Sequence, residues 1–202
     1  IVSSISIYQT IYFSKDAEYF SERLTHPKIF SSPFGVLNRD IPSEPVKSFK
    51  PKKIIFSGNE NHYPNVDALE WYLKSIHSKL ADENRVKLHI TGNWSDQTKE
   101  HMRKLNEFIV FEGFVEDYNE FLKESIVIVP IRIGGGGLRT KILYALANGI
   151  PVVTTSVGEF GIEATHGVHL YKADNETEFA NSINGLINNE NAVGQMAAKG
   201  RE

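Results

Sequence analysis

The chain has no cysteine. That absence removes disulfide frameworks, zinc-thiolate sites and thiol catalysis, and it is compatible with a reducing compartment. No apolar run approaches the ~20 residues of a membrane-spanning helix, and no signal-peptide pattern opens the sequence. Neither sign of charge dominates: 22 Lys and Arg against 25 Asp and Glu leave a net charge of −3, so no global field points to nucleic acid. The seven histidines include no pair at metal-ligand spacing on an expected helix, so no metal site is expected. His62, in the loop after the first expected strand, reads either as a solvated loop residue or as a crevice residue. No serine stands in a nucleophile elbow, and GxxxxGK[ST] is missing, which disfavours an ATPase P-loop. No GxGxxG follows the first strand. Thr91-Gly92-Asn93 stands where an NAD enzyme places its ribose-binding acid. Internal repeats and low-complexity tracts are also lacking.

What is present is enough apolar residue, 41% of 202 positions, to bury the core of one domain, or of one domain with part of another. The sequence opens on Ile1 and closes at Arg201-Glu202 straight after a helical pattern, which reads as a segment of a longer protein. From Lys52 onward, short apolar runs alternate with amphipathic segments. Strands are expected at Lys53–Ser57, Val86–Thr91, Phe108–Phe111, Ile126–Val129, Val152–Thr155 and, more weakly, Val168–Tyr171. Between the first two, Val66, Leu69, Leu73, Ile76 and Leu80 fall on one face of a helix over Pro64–Leu80, with Pro64 in its first turn. Further helices are expected at Ser95–Leu105, Asp117–Leu122, Leu138–Asn148, Glu176–Ile187 and Glu190–Lys199, with Ser95 and Asp117 as N-caps. Short strands, apolar on both faces and separated by helices, predict an α/β fold: a Rossmann-like, doubly wound parallel sheet of about six strands. Ligands of such sheets bind at the carboxyl ends of the strands.

Residues 1–48 differ. Ile1–Phe13 is rich in Ile, Ser and Tyr, Asp16–Leu24 reads as a helix and Lys28–Ser32 as a short strand. Pro33, Gly35, Pro42 and Pro45 then mark a linker. This block is too small for its own core and reads as the remnant of a preceding domain; residues 49–202 form the Rossmann-like one.

The densest signal runs from Ser125 to Thr155, SIVIVPIRIGGGGLRTKILYALANGIPVVTT. It reads strand, glycine turn, helix, strand. Gly134 to Gly137 lie where the chain leaves the strand and enters the helix, so bare backbone N–H groups and the helix dipole favour an anion there. Arg132, Arg139 and Lys141 add positive charge around the same point. Arg139 and Lys141 read either as phosphate ligands or as solvated positions of a helix face. Other strand ends carry Ser57-Gly58-Asn59, Thr91-Gly92-Asn93 and Gly113-Phe114-Val115. Each glycine alone could serve a tight turn; together they suit a flat ligand lying across the strand ends. Glu159 and Glu163 either accept hydrogen bonds from sugar hydroxyls or cap the next short helix.

These pieces resemble the C-terminal, donor-binding domain of GT-B fold glycosyltransferases, in particular the large family 4 of retaining enzymes. IIFSGNENHYPNVDAL, VKLHITG, FEGFVED, the glycine-loop βαβ unit and ADNETEFANSINGLI carry the likeness over roughly residues 30–200. SSPFGVLN, Ser31 to Asn38, is similar to the linker between the two domains. The resemblance implies transfer of a sugar from a UDP- or GDP-sugar to an acceptor hydroxyl, with no other cofactor and no metal. The diphosphate is then held by Gly135, Gly136, Gly137, Leu138 and Arg139, with Thr140 at the helix start. Arg139 and Lys141 take the catalytic role of charge stabilisation as the diphosphate departs. Gly113, Phe114 and Val115 line the nucleobase, and Gly58 and Asn59 face the sugar-phosphate crevice. The acceptor, a glycan, a lipid-linked or a small molecule, binds through the N-terminal domain. The expected location is the cytoplasm, with peripheral attachment at the inner membrane face as the alternative.

Two departures accompany the resemblance. Many members carry two glutamates eight positions apart, and those positions are Gly136 and Tyr144 here. Tyr144 either hydrogen-bonds a ribose or packs. The Arg and Lys that many members carry after the first strand are replaced by Asn59 and Glu60. Two other readings therefore remain open. A nucleotide-sugar epimerase of the same architecture turns over donor without acceptor. A degenerate domain binds nucleotide-sugar, or only another protein, without catalysis.

Overall fold

Strands apolar on both faces are stable only where helices cover the sheet on both sides. The computed structural model shows this arrangement; it describes residues 9–11, 22–23, 29–31, 36, 41–43, 47–81, 86–134 and 137–202. Contacts divide the chain into two units, Ile1–Val36 and Leu37–Glu202. In the first, β1 (Gln9–Ile11) and β2 (Ile29–Ser31) pair in parallel, Gln9 opposite Ile29. The expected Asp16–Leu24 helix lies outside the described residues except for Glu22 and Arg23, which are helical, and most of the linker lies outside them too.

The second unit holds six parallel strands: β3 (Lys53–Ser57), β4 (Leu88–Thr91), β5 (Ile109–Gly113), β6 (Ser125–Val129), β7 (Val152–Thr154) and β8 (Tyr171–Lys172). Their order is β5-β4-β3-β6-β7-β8, the doubly wound order in which the chain runs outward from β3, returns, and runs the other way from β6. Ile54 sits between Leu88 of β4 and Ile126 of β6. Ile54, Ile55 and Phe56 of β3 and all five residues of β6 are buried. Each large apolar side chain so buried contributes about 1.5–3 kcal/mol.

The helices are α1 (Tyr63–Trp71), α2 (Asp96–Leu105), α3 (Tyr118–Leu122), α4 (Thr140–Ala147), α5 (Ser156–Glu159), α6 (Glu176–Asn188) and α7 (Glu190–Gly200). Ser95 and Asp117 cap as their residue types predict: Ser95 Oγ accepts from Thr98 N at 3.3 Å and Asp117 Oδ1 from Glu120 N at 2.9 Å. Such caps are worth about 1 kcal/mol each.

Two elements differ from expectation. The helix over Pro64–Leu80 is three segments, because α1 widens to a π-helix at Tyr72–Ile76 and tightens to a 3-10 turn at His77–Lys79. Tyr72 and His77 are buried on this stretch, as are Leu73 and Ile76. Tyr72 packs edge-on to Phe179 of α6 and hydrogen-bonds His77 Nδ1 at 3.2 Å, and burial pushes its phenol well above the usual range. The strand expected at Val168–Tyr171 is the two-residue β8 instead. The amides of Val168 and His169 donate to Thr165 O in a turn, leaving only Tyr171 and Lys172 to pair with β7.

Candidate functional site

Between β3 and β6 the chain departs in opposite directions, so a crevice opens outside their carboxyl ends. Its floor is built by glycine. The parallel ladder continues past the strand ends, with Gly58 N donating to Thr91 O at 3.1 Å, Glu60 N to Asn93 O at 3.3 Å and Gly92 N to Gly113 O at 2.8 Å. Gly92 has φ +106°, and a Cβ there would overlap the Gly58 carbonyl oxygen. A Cβ on Gly58 would lie 2.7 Å from Asn65 Cγ. The loops after β3 and β4 approach at a distance that glycine at position 92 allows, and the β5 loop joins them through the Gly113 carbonyl.

From the β6 side, α4 brings Lys141 across the crevice. Its ammonium donates to the Ser57 carbonyl and lies 3.4 Å from Asn65 Oδ1, above the Phe56 ring. Burial, with Arg139 adding like charge, brings the Lys141 pKa down to about 8. Arg139 stands at the N-cap position of α4 and donates from Nη1 to the Gly137 carbonyl. Burial also lowers its pKa, leaving it fully cationic at neutral pH. Two cations and the start of α4 thus converge on one point, an arrangement suited to a multiply charged anion. Gly134 (φ +121°) and Gly137 (φ +129°) bracket the loop in conformations that favour glycine.

Beyond the β4 and β5 ends lies a recess of about 550 Å³ lined by Thr91, Gly92, Asn93, Gly113, Phe114, Val115 and Tyr118. Phe114 is 92% exposed, an aromatic face left to solvent at the recess. Tyr118 links the recess to the cationic centre: its hydroxyl lies 2.5 Å from Ser57 Oγ, and its ring lies 5.9 Å from that of Tyr144. Burial pushes the Tyr118 phenol up.

The structure brings Gly58, Arg139 and Lys141 to the β3–β6 crevice, and Gly113, Phe114 and Val115 to the adjoining recess. Asn59 is exposed at the crevice rim, where its carbonyl accepts from Asn65 Nδ2 at 2.9 Å. Gly137 and Thr140 are exposed, and Leu138 is half-buried against the core. Gly135 and Gly136 lie outside the described residues. Tyr144 is half-buried, its hydroxyl donating to Asn119 Oδ1 at 2.7 Å.

One expectation is corrected. Arg132 does not add its charge to the glycine loop. It is forked onto Asp67 of α1, with Nη2 2.8 Å from Oδ1 and Nε 3.3 Å from Oδ2, and lies over the Trp71 ring. Glu159 ends α5 and lies 3.8 Å from Lys172 Nζ. Sequence reasoning passed over Asn65 and Tyr118 as site residues and named Ser57 only as part of a strand end. Only Asn65 left a local signal: a polar residue on the inward face of a helix start, beside the proline.

Residues 51–189 match the family model described as Glycosyl transferases group 1. A Klebsiella pneumoniae protein, described as an uncharacterized 44.6 kDa protein in the cps region, is 27% identical over 154 residues. The match takes in 71% of this chain, which spans 39% of that relative's length. Among solved structures, a mutant of S. aureus TarM in complex with fondaparinux, alpha-GlcNAc-glycerol and UDP matches 95% of this chain and 39% of its own, with TM-score 0.74 and 18% identity. The pneumococcal O-GlcNAc transferase GtfA, in complex with UDP and GlcNAc, matches 95% and 40%, with TM-score 0.71 and 15% identity. The likeness to these two is one of fold, the Rossmann-like part of a GT-B architecture. The family match takes in all six strands of the sheet and both halves of the crevice, and the chain belongs to the group 1 glycosyl transferases.

Proposed function

We propose that this chain is the donor-binding part of a glycosyltransferase that moves a sugar, with retention of anomeric configuration, from a UDP-sugar to an acceptor hydroxyl in glycan or polysaccharide synthesis. The observation that carries the reading is the pair Arg139 and Lys141 at the β3–β6 switch point, next to a recess of nucleoside size with an open aromatic face. Family membership supports transferase chemistry. UDP in the TarM and GtfA complexes supports uridine over guanosine, and the cps-region relative supports polysaccharide synthesis.

In this reading the nucleobase occupies the recess and stacks on Phe114, and the diphosphate reaches back to Lys141, Arg139 and the start of α4. The bond between sugar C1 and the phosphate oxygen breaks, its electron pair staying on the diphosphate. The acceptor oxygen bonds C1, and its proton passes to the departing phosphate. The chain's own contribution is charge stabilisation: cations fixed in advance where negative charge grows. The acceptor binds through the preceding domain, of which residues 1–48 are the remnant, and the protein works in the cytoplasm, at the membrane face where the acceptor is lipid-linked. No helix among the described residues is long and apolar enough to cross a membrane.

Calorimetric titration with UDP, GDP, ADP and CMP tests the reading. UDP binds selectively, and Arg139→Ala weakens it roughly ten- to a hundredfold, the worth of one charge-assisted hydrogen bond, without lowering the thermal midpoint. Unchanged UDP affinity in Arg139→Ala would remove Arg139 from the site. The non-catalytic reading keeps one observation in its favour, Gly136 and Tyr144 at the two family glutamate positions. Donor binding by the whole protein without hydrolysis or transfer would establish it.

A further inference from the structure

A side-chain amide is costly to bury without partners, yet Asn65, in the first turn of α1, is only 6% exposed. It does not cap its helix. His62 holds the N-cap position, and the Asn65 backbone N–H already donates to His62 O at 2.8 Å. The amide turns instead to the crevice, where Nδ2 donates to Asn59 O at 2.9 Å and Oδ1 lies 3.4 Å from Lys141 Nζ. A Cβ on Gly58 would have to displace the Asn65 side chain. The neighbours of Asn65 on α1 hold the other side of the switch point: Pro64 packs under Gly134, and Asp67 and Trp71 hold Arg132. Asn65 alone among them touches the cation.

We propose that Asn65 is a positioning residue of the donor site: its amide holds the Lys141 ammonium and the Gly58–Asn59 turn in one arrangement that presents the cation to the departing diphosphate. This rests on the donor-site reading above. A free lysine side chain samples many rotamers, and fixing one costs up to about 2 kcal/mol. Here the cost falls on folding rather than on donor binding. An ammonium has three protons. Among the described residues the Ser57 carbonyl and Asn65 Oδ1 engage two of them, which leaves one for a phosphate oxygen.

The residue type matters. A carboxylate at position 65 would neutralise Lys141 and compete with the phosphate, and an apolar residue would offer no acceptor. Among the described residues, few charged or titratable groups stand around Lys141. Arg139 repels it from the loop, and the Tyr118 hydroxyl reaches it only through Ser57. Asp67, on the same helix as Asn65, is committed to Arg132.

The test follows the Lys141 side chain directly, by ¹³C NMR titration of labelled lysines in the purified protein. Lys141→Met assigns the resonance, and UDP calorimetry runs beside it. Asn65→Asp preserves shape, and it is expected to move the Lys141 titration upward by about one unit or more, as a carboxylate at this range does. Asn65→Ala is expected to weaken UDP about tenfold, and the Asn65→Ala/Lys141→Met pair to bind no more weakly than Lys141→Met alone, because the first residue acts through the second. A Lys141 titration unmoved by Asn65→Asp overturns the proposal, as do effects of the two single variants that multiply in the pair. If the titration moves but no form binds UDP, wild type included, the donor reading fails and Asn65's role in donor binding fails with it, while its hold on Lys141 stands.

Discussion

Replacing Lys141 with methionine removes a charge that folding itself disfavours. Burial first, and Arg139 second, lower its pKa from 10.5 to about 8. Each unit corresponds to about 1.4 kcal/mol, so at neutral pH the charged native state carries a penalty on the order of 3 kcal/mol. Against this gain, the Ser57 carbonyl and Asn65 Oδ1 lose a donor, at about 1 kcal/mol each. Methionine follows the path of the lysine stem and keeps its packing. The net expectation is a variant about 1 kcal/mol more stable than wild type at pH 7. The pH dependence has a definite sign. Native Lys141 releases its proton near pH 8 and the unfolded chain near 10.5, so between those values the unfolded state binds more protons and wild-type stability rises with pH. The advantage of methionine is therefore present at neutral pH and shrinks across that window. UDP affinity moves the other way, down roughly ten- to a hundredfold with the loss of a charge-assisted contact. Urea unfolding at about pH 7 and 9.5, with calorimetry at the lower value, measures all three quantities. A methionine variant less stable by more than about 1 kcal/mol at both pH values, with UDP affinity intact, would refute the reasoning and make Lys141 a structural ammonium.

Gly92→Ala places a Cβ on the Gly58 carbonyl oxygen at a backbone φ of +106°, and it is expected to cost at least about 2 kcal/mol in urea unfolding. A cost under about 0.5 kcal/mol would mean that the loops do not approach as described. Phe114→Ser removes a ring that is 92% exposed, so stability should hold within about 0.5 kcal/mol while UDP affinity falls several-fold with the stacking face. Equal affinity for UDP in both forms would take the base out of this recess.

The sheet was legible because its central strands are buried on both faces, and continuous apolar runs such as Ile54–Phe56 and Ile126–Val129 have no other use. The glycine loop was legible because four glycines between a strand and a helix leave few alternatives. Elements that depend on partners distant in sequence were not. The apolar spacing of Leu69, Leu73 and Ile76 predicts a helix but carries no sign of the π-widening at Tyr72–Ile76, where buried Tyr72 packs against Phe179, far along the chain. Arg132 lies next to the glycine loop in sequence, yet Asp67, 65 positions away, takes its charge. Asn65 reaches Lys141 across 76 positions, and no local pattern encodes that contact. The short strand β8 has pairing on one side only, too little to leave a periodic trace.

The ladder through Gly58, Gly92 and Gly113 has a consequence for how such a site can diverge. Because these loops continue the hydrogen-bonded register of the sheet, the crevice floor inherits its curvature from the twist of the strands rather than from loop sequence. Insertions and rearranged turns, the usual raw material of new specificity, are closed to this floor. What can drift without unfolding it are the side chains at the rim, such as Phe114, Val115 and Asn59. A lineage built on this floor changes its ligand by repainting that rim, and the same constraint leaves an engineer a short list of positions to randomise.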